Sequence, residues 1–233
     1  MGLSTASSLL LAIFRLMGCV VAEGSLLILK PGEVAIWVIV KLEWVRRYDQ
    51  LPERQSSADI IQSWDTACKE GGQNDYSVCS TWLHRDHNYY LVDVVRGRFD
   101  YPSLKLLSTS HAERYKPGTI LVEDGGVGTA LADELQRAGL PAIAVKPQGS
   151  KVTRMSVECG KFASGQVFFP TDAPWLMELE SELFAFPHGR HDDQVDSISQ
   201  ALAHEIDGYN LDGMMGKSDR RFTFGERYGI YCR

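Results

Sequence analysis

Three acidic positions in the sequence stand where a strand or a helix would present a carboxylate. Asp65 ends the apolar run 59–65, and Glu123 ends the apolar run 119–123. The third is the segment 191–196, which reads His-Asp-Asp-Gln-Val-Asp and begins a stretch with helical spacing. Acids at the carboxyl ends of strands lie at the rim of an open sheet, where ligands commonly bind. We therefore expect these carboxylates to converge on one site.

Converging carboxylates favour a site for hard divalent cations. Asp192 and Asp196 are four residues apart and Asp193 and Asp196 are three apart, so either pair can share a helix face. Close carboxylates repel one another unless a cation neutralises them, and oxygen ligands favour Mg²⁺ or Mn²⁺ over zinc. Two such ions about 3.5–4 Å apart would activate a water for phosphodiester hydrolysis. Asp124 and His191 stand beside the candidate ligands and are expected to support them.

Each of these acids also has a purely structural explanation. An aspartate at a strand end often caps a turn, as Asp65 could. Glu123 precedes glycines and could lie in a solvated loop, while Asp192 and Asp193 could complement the dipole of the helix they begin. Spacing alone leaves these alternatives open. It is the occurrence of all three groups in this order of elements that favours a shared site.

Predicted strands and helices follow one another in an order that can bring the acids together. Apolar runs bounded by turn residues predict strands, and apolar residues at three- and four-residue spacing predict helices. A three-stranded meander followed by alternating helices and strands predicts an α/β fold, with a mixed five-stranded sheet flanked by helices. In chain order the predicted elements are strands 59–65, 77–84 and 89–99, helix 101–115, strand 119–123, helix 127–138, strand 141–145 and helix 192–206.

A glycine-rich stretch directly follows the second acidic position. Gly125, Gly126 and Gly128 come after a predicted strand and begin a predicted helix, as glycines do in nucleotide-binding loops. The stretch lacks the complete Gly-x-Gly-x-x-Gly pattern and the Gly-Lys-Ser/Thr ending of a phosphate-binding loop. We therefore interpret these glycines as a tight turn beside Glu123.

The balance of charge leaves a nucleic acid partner open. The formal net charge is -6, which does not indicate a DNA-binding protein, but carboxylates that hold metal count as negative until the ions bind. The segment 146–161 contains four basic residues and only one acid, Glu158, and could form a strip that binds DNA phosphates. A solvated loop is the alternative. The four are Lys146, Lys151, Arg154 and Lys161.

Cysteine usage and the N-terminal sequence bear on the compartment. The five cysteines are scattered and include no Cys-x-x-Cys pair, which argues against a disulfide framework and a structural zinc site. Residues 16–19 resemble a bacterial lipoprotein cleavage box, but the stretch lacks a basic start and Arg15 interrupts its apolar run. We expect a cytoplasmic protein with no membrane partner, and export is the alternative.

Four segments, taken in their order along the chain, are more specific than any one of them. These are Ser-Trp-Asp-Thr-Ala at 63–67, the segment 89–96, Val-Glu-Asp at 122–124, and 186–196 with its His-Asp-Asp-Gln-Val-Asp ending. Together they resemble the C-terminal nuclease domain of phage large terminases. The likeness extends over roughly residues 43–204 and implies a ribonuclease-H-like fold.

That resemblance implies a metal-dependent endonuclease that cuts double-stranded phage DNA during genome packaging. Its catalytic acids would be Asp65, Glu123 and Asp193, with Asp192 and Asp196 as further metal ligands. Two Mg²⁺ or Mn²⁺ ions, a small terminase subunit and a portal are the implied cofactors and partners. Two alternatives stay open. One is a Holliday-junction-type resolvase, and the other is a catalytically idle prophage remnant that only docks packaging proteins.

The sequence also departs from that family in its N-terminal part. The resemblance implies a large terminase in which a packaging ATPase is joined to such a nuclease. No Walker A sequence occurs here. We expect 1–57 to be an atypical segment, the remnant of a linker to a missing ATPase domain, 58–206 to be the nuclease domain, and 207–233 to be a flexible tail. Packaging in the bacterial cytoplasm would then need a separate ATPase motor.

Overall fold

The fold is described by a computed structural model for residues 38–67 and 76–204. The lipoprotein-like stretch and the predicted C-terminal tail lie outside these described residues. Within the two described ranges, every helix is too short or too polar to traverse a lipid bilayer.

A seven-stranded mixed sheet forms the centre of the described fold. Its strand order is β1-β7-β4-β3-β2-β5-β6. β3 runs antiparallel to its neighbours β2 and β4, and all other neighbouring strands are parallel. The strands are β1 (Arg46–Tyr48), β2 (Ile60–Asp65), β3 (Ser77–Arg85), β4 (Asn88–Gly97), β5 (Thr119–Glu123), β6 (Ala142–Val145) and β7 (Val167–Pro170).

Five α-helices flank the sheet in the part of the chain that the structure describes. Local sequence fixes where two of them begin, because Asp100 accepts a hydrogen bond from the Ser103 amide and Ser150 accepts one from the Thr153 amide. The helices are α1 (Tyr101–Tyr115), α2 (Val127–Arg137), α3 (Lys151–Ala163), α4 (Leu176–Ala185) and α5 (Asp193–Ala203).

Both faces of the sheet are covered, which explains why its central strands β2 and β3 are buried along most of their length. On one face, Ile61 of β2 and Leu121 of β5 lie in a core formed with α3, α4 and α5. On the other face, Trp64 of β2 and Val122 of β5 lie in a core formed with α1 and α2. Because side chains alternate between the two faces of a strand, residues of a single strand contribute to both cores.

The predicted α/β fold is confirmed, and the sheet is larger than predicted. All five predicted strands occur, but two short strands, β1 and β7, extend the sheet to seven. Three or four residues are too few to show a period, so neither strand was predicted. β1 lies within the N-terminal segment expected to be separate, so the sheet begins before residue 58. Helices α3 and α4 were also not predicted.

Candidate metal centre

Two neighbouring parallel strands bring the first two acids to the same edge of the sheet. β2 and β5 are paired with Trp64 opposite Val122. Asp65 and Glu123 each follow by one residue and end their strands. Parallel strands end at the same edge, so pairing places both carboxylates there although 58 residues, from 65 to 123, separate them in sequence.

The glycine-rich turn after β5 holds the backbone tightly against the acid site. Gly126 has a φ of 53°, which favours glycine. A Cβ on Gly128 would lie 2.1 Å from the carbonyl oxygen of Glu123 and 2.9 Å from the Thr66 Oγ1 atom, so a larger residue does not fit there. The interpretation of these glycines as a tight turn beside Glu123 is therefore confirmed.

Helix α5 supplies the third group of acids. Asp193 and Asp196 lie in its first turn, and Asp196 is only 3% exposed. Ser197 fixes the helix to the sheet, because its hydroxyl donates to the Ser63 carbonyl at 2.8 Å and lies 2.7 Å from the Ser80 hydroxyl. Since Ser63 lies two residues before Asp65, this contact sets the acidic turn beside the end of β2.

A buried glutamate on α4 completes the start of α5. The N-cap residue Asp192 makes no side-chain capping bond. Glu182 takes this role, accepting hydrogen bonds from the backbone amide and the side-chain amide of Gln194, both at 2.7 Å. Burial raises the pKa of Glu182, while the Gln194 bonds and the nearby Arg96 guanidinium oppose that rise. Glu182 therefore positions the turn that carries Asp193.

The carboxylates at this edge form an electrostatically crowded group, which we call the acid cluster: Asp65, Glu123, Asp193 and Asp196. Burial, followed by the charges of Glu123, Asp196 and Asp193, raises the pKa of Asp65 to about 8. Burial and Asp196 raise the pKa of Glu123, although Arg154 and Lys151 oppose this. Burial and the Asp192 charge raise the pKa of Asp193. The cluster therefore holds more negative charge than its surroundings neutralise.

Two basic residues at the start of α3 reach into the acid cluster. Lys151 Nζ lies 2.5 Å from an Asp196 oxygen and 2.7 Å from an Asp192 oxygen. Arg154 lies 2.7 Å from Asp196 and 3.7 Å from Glu123. Burial alone would lower the pKa of Lys151, but the hydrogen bonds to Asp192 and Asp196 hold it above its usual range. Within the described residues neither base forms an ion pair with Asp65, although the Lys151 charge opposes the rise in its pKa.

The four residues of the predicted phosphate-binding strip make different contacts in the structure. Residues 151–163 form α3, so Arg154 and Lys161 are separated by about 10 Å along the helix axis. Lys161 Nζ contacts Glu158 and donates to the Leu202 carbonyl near the end of α5, both at 2.5 Å. Lys151 and Arg154 reach the acids, Lys161 serves the opposite end of the helix, and Lys146 is exposed beyond β6.

The two residues expected to support the ligands occupy different positions. Asp124 is exposed, and its carboxylate accepts a hydrogen bond from the Thr129 hydroxyl at 2.7 Å, at the start of α2. His191 lies beside the cluster, since its charge lowers the pKa of Asp193 and its ring meets the Tyr76 ring at 5.6 Å. His191, rather than Asp124, is therefore placed to influence the cluster.

The chemistry of the cluster fits a hard cation, while its present geometry favours ion pairs. In residues 38–67 and 76–204, no three Asp, Glu, His or Cys side chains lie close enough to hold one metal ion. Asp192 and Asp196 instead face Lys151, and Asp196 also faces Arg154. The donor set consists of carboxylates, which are ligands of Mg²⁺ and Mn²⁺. Repulsion around Asp65 is the condition that a bound cation relieves.

The fold and the acid cluster together define a ribonuclease-H-like nuclease domain, and comparison with known families gives its membership. The family model described as the terminase RNaseH-like domain matches residues 62–205, more than half of the chain. The chain belongs to this family, as the four sequence segments indicated. No curated protein sequence matches the chain.

Solved structures of phage large terminases share the fold. The large terminase nuclease of thermophilic phage G20c with bound magnesium is 21% identical, with a TM-score of 0.54 over 73% of this chain and 98% of that one. The same nuclease with bound zinc is 23% identical, with a TM-score of 0.51 over 69% and 94%. The large terminase of another thermophilic bacteriophage, in complex with ADP, is 12% identical, with a TM-score of 0.52 over 70% and 43%. The predicted ribonuclease-H-like fold is confirmed.

Proposed function

We propose that this protein is a divalent-metal-dependent endonuclease that cuts double-stranded DNA during phage genome packaging. The observation that carries the proposal is the crowding of Asp65, Glu123 and the first turn of α5 at one edge of the sheet, where burial and mutual repulsion raise carboxyl pKa values. Membership of the terminase RNaseH-like family supports the same reaction.

The metal ligands that we propose are Asp65, Glu123 and Asp193, with Asp192 and Asp196 in support. The charges of Glu123, Asp196 and Asp193 all raise the pKa of Asp65, so we place Asp65 at the centre of the set. Asp196 is bonded to both Lys151 and Arg154 and must release one of them to bind a cation directly. Structures of the G20c nuclease with bound magnesium, cobalt and zinc make a divalent cation the natural candidate.

The side chains divide the work of phosphodiester hydrolysis between them. When bound, divalent cations lower the pKa of a water and stabilise charge on phosphate oxygens. The carboxylates hold these ions as deprotonated ligands, so Asp65 must lose its proton before it can act. Lys151 and Arg154 place two positive charges beside the same cluster, where they can offset the charge of an approaching phosphate. No nucleophile from the protein is required.

Packaging supplies the setting and the partners of this reaction. The chain spans less than half the length of the large terminase that was solved in complex with ADP. Another structure of that terminase is in complex with ATP-gamma-S. We propose that the nuclease acts with an ATPase motor, a small terminase subunit and a portal in the cytoplasm of the host. These partners rest on the family and not on a contact within the described residues.

Plasmid cleavage with Mn²⁺, with Mg²⁺ and with EDTA tests the proposal. We expect the plasmid to be cut only when Mn²⁺ or Mg²⁺ is present. Asp65→Asn should lower the cleavage rate at least about 10³-fold, which corresponds to roughly 4 kcal/mol in the activation barrier. Asp133→Asn, a matched change at an exposed site on α2, should cut like the wild type. Retained cutting in Asp65→Asn would refute the central ligand. Preference for four-way junctions over linear duplex would indicate a resolvase, and a folded protein that never cuts would favour the docking remnant.

A further inference from the structure

A polar cavity lies directly beside the acid cluster. Its volume is about 260 Å³, and Asp193 forms part of its wall. Lys151 and Asp192 also line it, and its remaining lining residues are Tyr76, Arg98, Arg190 and His191, which we call the arginine groove. Two separate segments build it, because Tyr76 and Arg98 flank the β3–β4 hairpin while Arg190 and His191 lie between α4 and α5.

The Tyr76 ring organises the groove. The Arg96 guanidinium lies 3.4 Å from the ring centroid and that of Arg98 lies 4.6 Å from it, both within the range of a cation–π contact. The His191 ring meets Tyr76 edge-on at 5.6 Å. The Tyr76 ring therefore contacts the guanidinium groups of Arg96 and Arg98 as well as His191, which lies just before the acidic turn of α5.

The basic residues around Tyr76 differ in whether their charge is compensated. Arg96 is mostly buried, pairs with Glu178, and lies 3.9 Å from Glu182, so its charge is matched inside the fold. Arg98 and Arg190 are exposed, and in the described part of the chain neither forms an ion pair. These two guanidinium groups keep their donors available although Asp193 lines the same cavity.

We propose that the arginine groove binds the sugar–phosphate backbone of a DNA strand next to the bond that is cut. The choice of DNA rests on the proposed nuclease function. Guanidinium groups recognise phosphate through paired hydrogen bonds, and Arg98 and Arg190 present two of them in the cavity that Asp193 also lines. Arg190 and His191 also line an adjoining cleft of about 570 Å³. The acids of that cleft, Glu178 and Glu182, lie against Arg96, whereas Arg190 has no ion-pair partner among the described residues.

DNA binding measured without cutting tests the groove. A fluorescent duplex is titrated with protein in EDTA at several salt concentrations, using the wild type, Arg98→Ala/Arg190→Ala, and the matched control Arg114→Ala/Arg137→Ala. The control arginines are exposed on α1 and α2, on the other face of the sheet. We expect the groove variant to bind about tenfold more weakly, with a salt slope lower by about 2, because two phosphate contacts are lost. The control should bind within about twofold of the wild type.

The role of the ring has its own pair of variants. Tyr76→Phe keeps the ring and should bind DNA like the wild type, whereas Tyr76→Leu removes the cation–π contacts and should weaken binding several-fold. Circular dichroism establishes that each variant is folded. Equal losses in Phe and Leu variants would overturn the assignment of the ring.

Four outcomes separate the possibilities. Equal affinity and salt slope in the groove variant and the wild type, or equal losses in the groove and control variants, would overturn the proposal. A polyglutamate peptide that binds more tightly than DNA through the same two arginines would make the groove a docking surface for an acidic protein and would also overturn it. Binding through the groove by a protein that never cuts would support the groove and refute the proposed nuclease.

Discussion

Two polar regions on the central strands of this protein differ in how their groups are matched. Next to α1, which we call the α1 network, the Tyr115 hydroxyl donates to Asp93 at 2.7 Å, and Thr81 lies 3.1 Å from the His111 ring nitrogen. Burial lowers the pKa of His111, which keeps that side chain neutral. In the acid cluster, by contrast, burial and neighbouring carboxylates raise the pKa of Asp65 to about 8.

The difference separates groups that the fold pairs with a partner from carboxylates that it crowds together. A buried polar group with a partner contributes modestly to stability, and losing the partner costs more than the bond is worth. Like charges held together by the fold cost stability until something outside the fold neutralises them. Removing a group should therefore have opposite effects on stability in the two regions.

The largest effect that we expect is a pH-dependent gain of stability in Asp65→Asn without metal. The folded pKa of about 8 lies above the ordinary value of 3.8, so the folded state keeps a proton that the unfolded state releases. The wild type therefore loses stability as pH rises from about 4 to about 8, and the Asn variant escapes this loss. A shift from 3.8 to about 8 implies that the variant is more stable by roughly 5 kcal/mol at pH 8.

Urea unfolding in EDTA at pH values from about 5 to about 9 measures this gain. The difference between the two proteins should grow with pH up to about 8 and then level off. Parallel stability curves over the whole range would show that Asp65 is not crowded by like charge, and the contrast with the α1 network would disappear.

Glu182→Ala should give the next largest effect, and its sign should be opposite. The change removes both hydrogen bonds to Gln194 and leaves Arg96 without a nearby buried carboxylate. We expect a loss of about 2 kcal/mol in the free energy of unfolding and weaker binding of Mn²⁺, because the turn carrying Asp193 is no longer held. Glu182→Gln keeps one acceptor and should restore most of both properties. Calorimetric Mn²⁺ titration that is unchanged in a destabilised Glu182→Ala protein would limit Glu182 to a structural role.

Tyr115→Phe should lower stability by about 1 kcal/mol and leave cleavage unchanged. The substitution removes one hydroxyl and leaves Asp93 without that donor, far from any acid of the cluster. Thermal unfolding and plasmid cleavage on the same preparation measure both properties. A fall in cleavage larger than the fall in folded protein would mean that the α1 network also serves the reaction.

The smallest effect concerns the two ends of α3. Lys161→Met should change DNA affinity by less than about twofold, because Lys161 is engaged by Glu158 and by the end of α5. Lys151→Met removes a charge beside Asp192 and Asp196 and should weaken DNA binding more. Anisotropy titrations in EDTA compare the two variants directly. Equal losses of DNA affinity in the two variants would support the continuous basic strip that the sequence predicts.

Much of the fold and part of the site could be predicted from local sequence. The strands ending at Asp65 and Glu123 are apolar runs bounded by turn residues, and the glycines after Glu123 indicate a turn without any knowledge of neighbours. The strands β1 and β7 were missed because each is short and becomes a strand only by pairing with its neighbours. The basic residues of α3 were read as a charge pattern, and their division between two ends of a helix was not predicted.

The residue types and their order by themselves indicated the family of this protein and its candidate acids. Carboxylates at strand ends and at a helix start predict hard-cation ligands, and their order along the chain indicates the terminase family, which the family comparison confirms. Only the tertiary structure decided which groups surround them. Residues from distant parts of the chain meet there: Glu182 with Gln194, Lys151 and Arg154 with Asp196, and two arginines with Tyr76. The reason is physical: local sequence sets backbone preference, whereas burial and charge depend on neighbours that only the packed chain supplies.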